Sequence, residues 1–178
     1  MKKSVLCLLV DGFEEIETVT PVDVLRRANI KVTIAALAGK TATGKQGMQL
    51  VADTTLDEVG PSDFDLLLIP GGPGVAALRS DGRAAKLAAQ FATEHKPVAA
   101  ICAAPLVLMD AGLLAGKKFT AYHSVREELG GGLDDRVVVD GQIITSRGAG
   151  TALDFSLAIV KCLLGAKAAA DVAEEIMA

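Results

Sequence analysis

Apolar residues fall in short unbroken blocks separated by amphipathic stretches. Ser4 to Val10, Lys31 to Ala38, Asp65 to Pro70 and Pro97 to Ile101 read as strands, and Lys118 to Tyr122 as a further one. Blocks without polar alternation are expected of strands buried on both faces, as in a parallel sheet. Between them Glu14 to Ala28 predicts a helix, with Ile16, Val19, Val22, Val24 and Leu25 on or near its apolar face. Pro21 lacks an N–H and crowds the preceding turn, so it predicts an irregular start or a kink. Ala84 to His95 reads as a helix. A helical pattern begins again after Cys102, with Leu106, Met109, Leu113 and Leu114 as its apolar positions.

Shorter signals complete the chain. Gly39 to Gly47 reads as a polar loop, Met48 to Ala52 as a short strand and one half of a hairpin, and Leu56 to Gly60 as a helical turn. Ser124 to Leu129 reads as a short helical stretch broken by Gly130-Gly131-Gly132. Val137 to Asp140 and Gln142 to Ser146 flank Asp140-Gly141, a two-residue hairpin signal. Thr151 is a predicted N-cap for an apolar helix to Leu164, Gly165 closes that helix, and Lys167 to Met177 is a last helix. Strands alternating with helices predict one α/β domain over residues 1–178, a mainly parallel sheet with helices on both faces.

Composition narrows the function classes. The chain has 178 residues, enough to bury a core as one domain, and 51% are hydrophobic. Mean hydropathy is high at +0.40, yet no stretch approaches a membrane span, so no membrane partner is expected. A net charge of -4 and the lack of a basic stripe with aromatics argue against nucleic acid. Met1-Lys2-Lys3 before an apolar block has the look of a secretion signal. The block is too short, however, and Asp11-Gly12-Phe13-Glu14-Glu15 stands where small cleavage-site residues belong, so a first strand is the better reading. Cys7, Cys102 and Cys162 form an odd set without ligand spacing. They imply a reducing compartment, the cytoplasm, and no metal; His95 and His123 are too scattered for a metal site.

The candidate chemistry centres on Cys102. It stands where the chain turns from strand to helix, which places its side chain at the carboxyl edge of the sheet. A helix N-terminus there favours thiolate, and small Ala100, Ala103 and Ala104 permit a tight turn, a nucleophile elbow with sulfur in place of oxygen. The plain alternative is a buried core cysteine. The loops at Asp11 to Glu17 and Gly71 to Gly74 should meet Cys102 at that edge. Amides of these glycines, with those of Cys102 and Ala103, are placed to hold an oxyanion; glycine-rich turns also occur for conformational reasons alone. Glu14 and Glu15 read as complements to a helix dipole. Glu17, between Ile16 and Val19, is expected to be partly buried, to stay protonated, and to hydrogen-bond the sulfur or act as an acid or base. Arg147, just before a helix start, reads as an anion holder or a surface residue. His123 reads as a loop residue or a site histidine, and Tyr122 as a candidate pocket wall.

These residues resemble the ThiJ/PfpI superfamily, in the branch of the Parkinsonism-associated protein deglycase. The resemblance is carried by Gly12-Phe-Glu-Glu-Ile-Glu17-Thr, Pro21-Val-Asp-Val-Leu-Arg-Arg-Ala28, Pro70-Gly-Gly72, Ala100-Ile-Cys102-Ala-Ala-Pro105 and Thr145-Ser-Arg-Gly-Ala-Gly-Thr151, almost end to end. It implies a flavodoxin-like three-layer sandwich and a homodimer. It matches Cys102 to an easily oxidised nucleophile, Glu17 to its acidic partner, and Gly71, Gly72 and Ala103 to backbone donors. Arg147 matches an anion-holding arginine near the dimer contact. Departures exist. Ala103 stands where the protease-like branch has a histidine, which disfavours a peptidase. A histidine of glyoxalase-active relatives falls at Tyr122 or His123. A second anion-site arginine is replaced near Lys45-Gln46. The resemblance implies a cofactor-independent glyoxalase or deglycase that acts on small aldehydes (methylglyoxal, glyoxal) or glycated groups through Cys102 and Glu17. The alternative is an oxidative-stress sensor or redox-regulated chaperone that uses oxidation of Cys102 without turnover.

Overall fold

The computed structural model describes residues 2–178; Met1, first residue of the basic start, lies outside the described residues. In chain order the elements are β1 (Ser4–Leu9), α1 (Glu15–Arg27), β2 (Lys31–Ala36), β3 (Thr41–Thr43), β4 (Gln49–Val51), β5 (Thr54–Thr55), β6 (Leu66–Ile69), α2 (Val75–Asp81) and α3 (Arg83–Thr93). They continue with β7 (Val98–Ile101), α4 (Pro105–Asp110), β8 (Val137–Asp140), β9 (Ile143–Ser146), α5 (Ala152–Leu164) and α6 (Ala166–Glu175).

Seven of the described strands form one sheet in the order β5-β2-β1-β6-β7-β9-β8, and β3 pairs with β4 as a separate hairpin. All neighbours in the large sheet are parallel except β8, which runs antiparallel to β9 through the Asp140↔Ile143 closure. Leaving out the edge strands β5 and β8, the order is that of a flavodoxin-like doubly wound sheet, with the direction of winding reversing between β1 and β6.

Strand β1 shows why the apolar blocks lack alternation. Val5, Cys7 and Leu9 point to a core shared with Phe13, Leu25, Phe155 and Ile159, on the side of α1, α5 and α6. Leu6, Leu8 and Val10 point to the opposite core, with Leu78, Leu87, Phe91 and Val107 from α2, α3 and α4. Both faces are covered, so every position must be apolar. No helix among the described residues is long and apolar enough to cross a membrane.

Several elements differ from expectation. Lys118 to Tyr122 is not a strand: only Thr120 bridges, to Leu133. Its amides find other acceptors. Lys118 N donates to Asp140 Oδ2 at 2.9 Å, Thr120 N to Thr145 Oγ1 at 3.0 Å, and Tyr122 N to the Cys102 carbonyl at 2.8 Å. The helix after Cys102 stops at Asp110, so Leu113 and Leu114 lie beyond Gly112, whose φ is +73°. Ser124 to Leu129 is a 3-10 turn over His123–Val125 followed by turns. Helix α1 runs through Pro21 without interruption. The proline forgoes only the bond to the Glu17 carbonyl. Thr151 occupies the N-cap position of α5, but its hydroxyl donates to the Gly148 carbonyl at 2.8 Å instead of capping. Helix α2 lacks a clear sequence signal, because Val75 and Leu78 supply only one short apolar turn.

Candidate active site

Three loops meet at the carboxyl edge beside the β1–β6 switch point. The first leaves β1, the second leaves β6 at Gly71, and the third is the turn from β7 to α4. They are laced together by backbone: Glu14 N donates to the Gly71 carbonyl at 3.0 Å and Gly74 N to the Gly12 carbonyl at 3.0 Å. The close approach demands glycine. A Cβ on Gly71 would lie 2.5 Å from Glu17 Oε2 and 2.6 Å from Cys102 Cβ.

Cys102 has φ +65°, a left-handed conformation that a side-chain-bearing residue adopts at a cost of about 1–3 kcal/mol. The surroundings hold it there. Its amide donates to the Ser146 carbonyl at 2.9 Å, continuing the β7–β9 ladder, and its carbonyl accepts from Tyr122 N. The thiol therefore projects from a strand-to-helix elbow, half-buried, with the amides of Gly72 and Ala103 directed at the sulfur. The Gly71 amide, also expected as an oxyanion donor, is committed elsewhere: it donates to Glu17 Oε2 at 3.1 Å.

Glu17 is only 1% exposed. Burial pushes its carboxyl up from 4.5 to about 7; the Cys102 hydrogen bond pulls it back, Glu14 adds to the rise, and the Gly71 amide and Lys45 oppose it. Burial likewise pushes the Cys102 thiol up to about 12, reinforced by the charge and hydrogen bond of Glu17 and opposed by the amides of Gly72 and Ala103. The expected thiolate bias of a helix start is thus outweighed. Helix α4 is a short six-residue element, and desolvation beside a carboxylate dominates. The two groups share protons as one acid pair, and Glu17, in its ionised form, is placed to take the thiol proton.

A cavity of about 320 Å³ opens on this pair, bordered by Glu14, Lys45, Gly72, Pro73, Tyr122 and Ser124. Tyr122 lines it and His123 does not. The His123 ring is exposed and lies against Tyr122, with ring centroids 4.2 Å apart. Arg147 also stays outside, where its Nη1 donates to the Asp134 carbonyl at 3.0 Å. A larger groove of about 550 Å³ between α1, α5 and α6 holds none of these groups. Among the described residues no three His, Cys, Asp or Glu side chains gather to hold a metal ion.

Glu15, expected to complement the helix dipole, is instead buried, 6% exposed. Its Oε1 accepts from Gln46 N at 2.6 Å, and its Oε2 has no partner. Only the return of the β3–β4 hairpin across α1 reveals this, and no local signal marks it.

A strained cysteine elbow at the switch point of a flavodoxin-like sheet, paired with a buried carboxyl, defines a class of cysteine-centred α/β proteins. Comparison with known proteins narrows the class: the chain belongs to the DJ-1/PfpI family, whose model matches residues 3–162. It is 40% identical to the protein dj-1beta of Drosophila melanogaster, covering 99% of this chain and 98% of that one. The crystal structure of that relative agrees with a TM-score of 0.94 over the same share of each chain. It is 36% identical to deglycase PfpI of Pyrococcus furiosus over 89% of this chain and 98% of the relative. An oxidized Toxoplasma gondii DJ-1 matches at 30% identity and a TM-score of 0.93, over 98% of each chain.

Proposed function

We propose that the protein is a cofactor-independent glyoxalase and deglycase-type enzyme that removes reactive carbonyls such as methylglyoxal, glyoxal and early glycation adducts. The observation that carries this reading is the Glu17–Cys102 pair: a carboxyl titrating near neutrality, hydrogen-bonded to a thiol beside two free-facing amides. The sulfur adds to the aldehyde carbon as Glu17 takes the thiol proton. The amides of Gly72 and Ala103 stabilise the developing oxyanion until Glu17 returns that proton to it, which completes the hemithioacetal and frees the carboxylate. Glu17 then moves the hydrogen of the former aldehyde carbon to the neighbouring carbonyl carbon, which becomes the alcohol carbon, leaving a 2-hydroxyacyl thioester. Water cleaves the thioester, returns the thiol and releases a 2-hydroxy acid. A family relative named as a deglycase supports the reading.

The protein is also proposed to work as a homodimer in the cytoplasm. Ile16 and Val19 on α1, and Met48 and Val51 on the hairpin, are exposed apolar side chains that a second copy would cover. Light scattering that gives a monomer mass at working concentration removes this part of the proposal.

A second reading has one observation in its favour: the half-buried sulfur faces amide donors and a protonatable carboxyl, which suit an oxidised sulfur acid. In it Cys102 senses peroxide and does not turn over.

The test is methylglyoxal consumption with lactate detection, in chelator and without glutathione. Wild type should turn over many equivalents, and Cys102→Ser and Glu17→Gln should lose at least about a hundredfold. A reduced wild type that gives no turnover overturns the enzymatic reading in favour of the sensor.

A further inference from the structure

Gly72 and Ala103, whose amides face the Cys102 sulfur, stand at the starts of different helices. Gly72 lies just before α2, and Ala103 just before α4. To hold one oxygen the two N–H groups must keep a fixed spacing, because a hydrogen bond weakens steeply as its angle drifts. The strands stop setting that spacing early, since the β6–β7 register ends at Ile69↔Ala100. Beyond it each loop is tied to other neighbours. Gly71 and Gly74 bond to the loop after β1, while Cys102 bonds to Ser146 and Tyr122. Among the described residues, no backbone hydrogen bond runs directly from the 71–74 loop to the 102–104 turn.

The direct tie lies at the far ends of the two helices. Arg79 stands seven residues after Gly72, and Asp110 seven after Ala103. Arg79 Nε donates to Asp110 Oδ2 at 2.7 Å and its Nη2 to Asp110 Oδ1 at 2.9 Å, a two-point fork that fixes angle as well as distance. Its Nη1 donates to Glu128 Oε1 at 2.8 Å. Glu128 follows Tyr122 and Ser124, which border the cavity, on the same segment. One guanidinium therefore joins three stretches of the cavity wall, from about two helical turns, roughly 10 Å, behind the amides. Val75, Leu78 and Val107 hold both helices in one core. Apolar burial has no direction of its own, so the fork is what sets the register of α2 against α4.

We propose that Arg79 is a positioning residue of the active site: it sets the spacing of the Gly72 and Ala103 amides through Asp110 and steadies the Tyr122 wall through Glu128. This rests on the reading of Cys102 as the nucleophile, with those amides as its oxyanion donors. Arg79 does not border the cavity, so its loss acts on the chemical step and leaves substrate entry alone. An ion pair still partly open to solvent contributes little to overall stability, which separates this role from one in holding the fold.

The experiment uses the intact reduced protein and the variants Arg79→Gln, Arg79→Lys, Asp110→Asn and the double variant Arg79→Gln with Asp110→Asn. Lysine keeps the charge and loses the fork. One readout is kcat and KM for methylglyoxal. The other is the rate of Cys102 alkylation by iodoacetamide, with peptide masses to separate Cys102 from Cys7 and Cys162. The amides of Gly72 and Ala103 favour the thiolate, so drawing them away from the sulfur slows alkylation. Buried Cys7 reports any loosening of the fold. In each single variant kcat should fall about tenfold with KM held within about twofold, and Cys102 alkylation should slow about threefold while Cys7 stays protected. The double variant should be no worse than Arg79→Gln alone. Wild-type kcat and alkylation in Arg79→Gln overturn the proposal. So does full activity in Arg79→Lys, since charge alone would then suffice, and so does a loss that rises together with labelling of Cys7. If the wild type gives no turnover the glyoxalase reading falls alone, and the alkylation rates still decide the role of Arg79.

Discussion

Glu17 Oε2 accepts the Gly71 amide at 3.1 Å, which fixes the carboxyl beside the Cys102 sulfur and leaves Gly72 and Ala103 as the amides that face it. One loop thereby orients the acid and the next presents the nucleophile. The distance between them is set by backbone, not by flexible side chains.

The pH dependence of stability follows from Glu17. Its folded pKa, about 7, lies above its ordinary value of 4.5, so between these values the native state holds more protons than the unfolded chain. Stability should therefore fall as pH rises from 4.5 to about 7 and level off above. The total loss is on the order of 3 kcal/mol. Glu17→Gln should flatten that window and be more stable than wild type at pH 8. Urea unfolding across pH 4.5 to 8 measures both, and a wild-type profile that rises through this window contradicts the assignment. In the same variant the inflection of kcat/KM near pH 7 should disappear.

Backbone strain at Cys102 predicts an ordering of variants. At φ +65° glycine pays no Cβ penalty, whereas alanine does. Cys102→Gly should be more stable than Cys102→Ala by about 1 kcal/mol, and both should be inactive. Thermal unfolding of the pair, with circular dichroism to check the fold, gives the difference; equal Tm values would mean that the elbow is unstrained.

Gly71→Ala and Gly150→Ala should separate sharply. At Gly71 a methyl meets Glu17 Oε2, Cys102 Cβ and, at 2.8 Å, the Ile101 carbonyl, so the lacing of the two loops must give way. At Gly150 nothing lies within 4 Å. The first change should cost about 2 kcal/mol or more and sharply lower aldehyde turnover; the second should stay within about 0.5 kcal/mol. Denaturant midpoints for the two proteins decide the matter.

Glu15→Ala should loosen the 44–48 turn without unfolding the sheet. It removes the acceptor for Gln46 N and for Met48 N, the latter at 3.4 Å, at a cost of about 1–3 kcal/mol. Hydrogen exchange of these two amides should accelerate while the amides of β1 remain protected. If Gln46 exchanges at the wild-type rate, the carboxylate is not what holds the turn.

Sequence periodicity sufficed for the elements that bury two faces. Strands β1, β6 and β7 are continuous apolar blocks because helices cover both sides of the sheet, and the thiol at the end of β7 follows from that reading. Local chemistry also marked the β8–β9 hairpin through Asp140-Gly141, and the end of α5 through Gly165. Nothing local could decide Lys118 to Tyr122, whose β-like composition is overruled by Asp140, Thr145 and Cys102 taking its amides. The fate of three glutamates in four residues was equally hidden. Glu14 caps a helix, Glu15 pins a distant turn and Glu17 meets the thiol, although their side chains are alike.

The sequence by itself determined the α/β class, the elbow at Cys102 and the family, because these depend on periodicity and on residues adjacent in the chain. Tertiary structure alone decided that Gly71 serves Glu17, that Tyr122 lines the cavity while His123 and Arg147 remain outside, and that Lys45 enters it. The physical reason is the same in each case. A side chain's neighbours across the sheet edge come from loops about 30 to 85 residues away, and a desolvated carboxyl or thiol takes its proton affinity from those neighbours, not from its own stretch of chain.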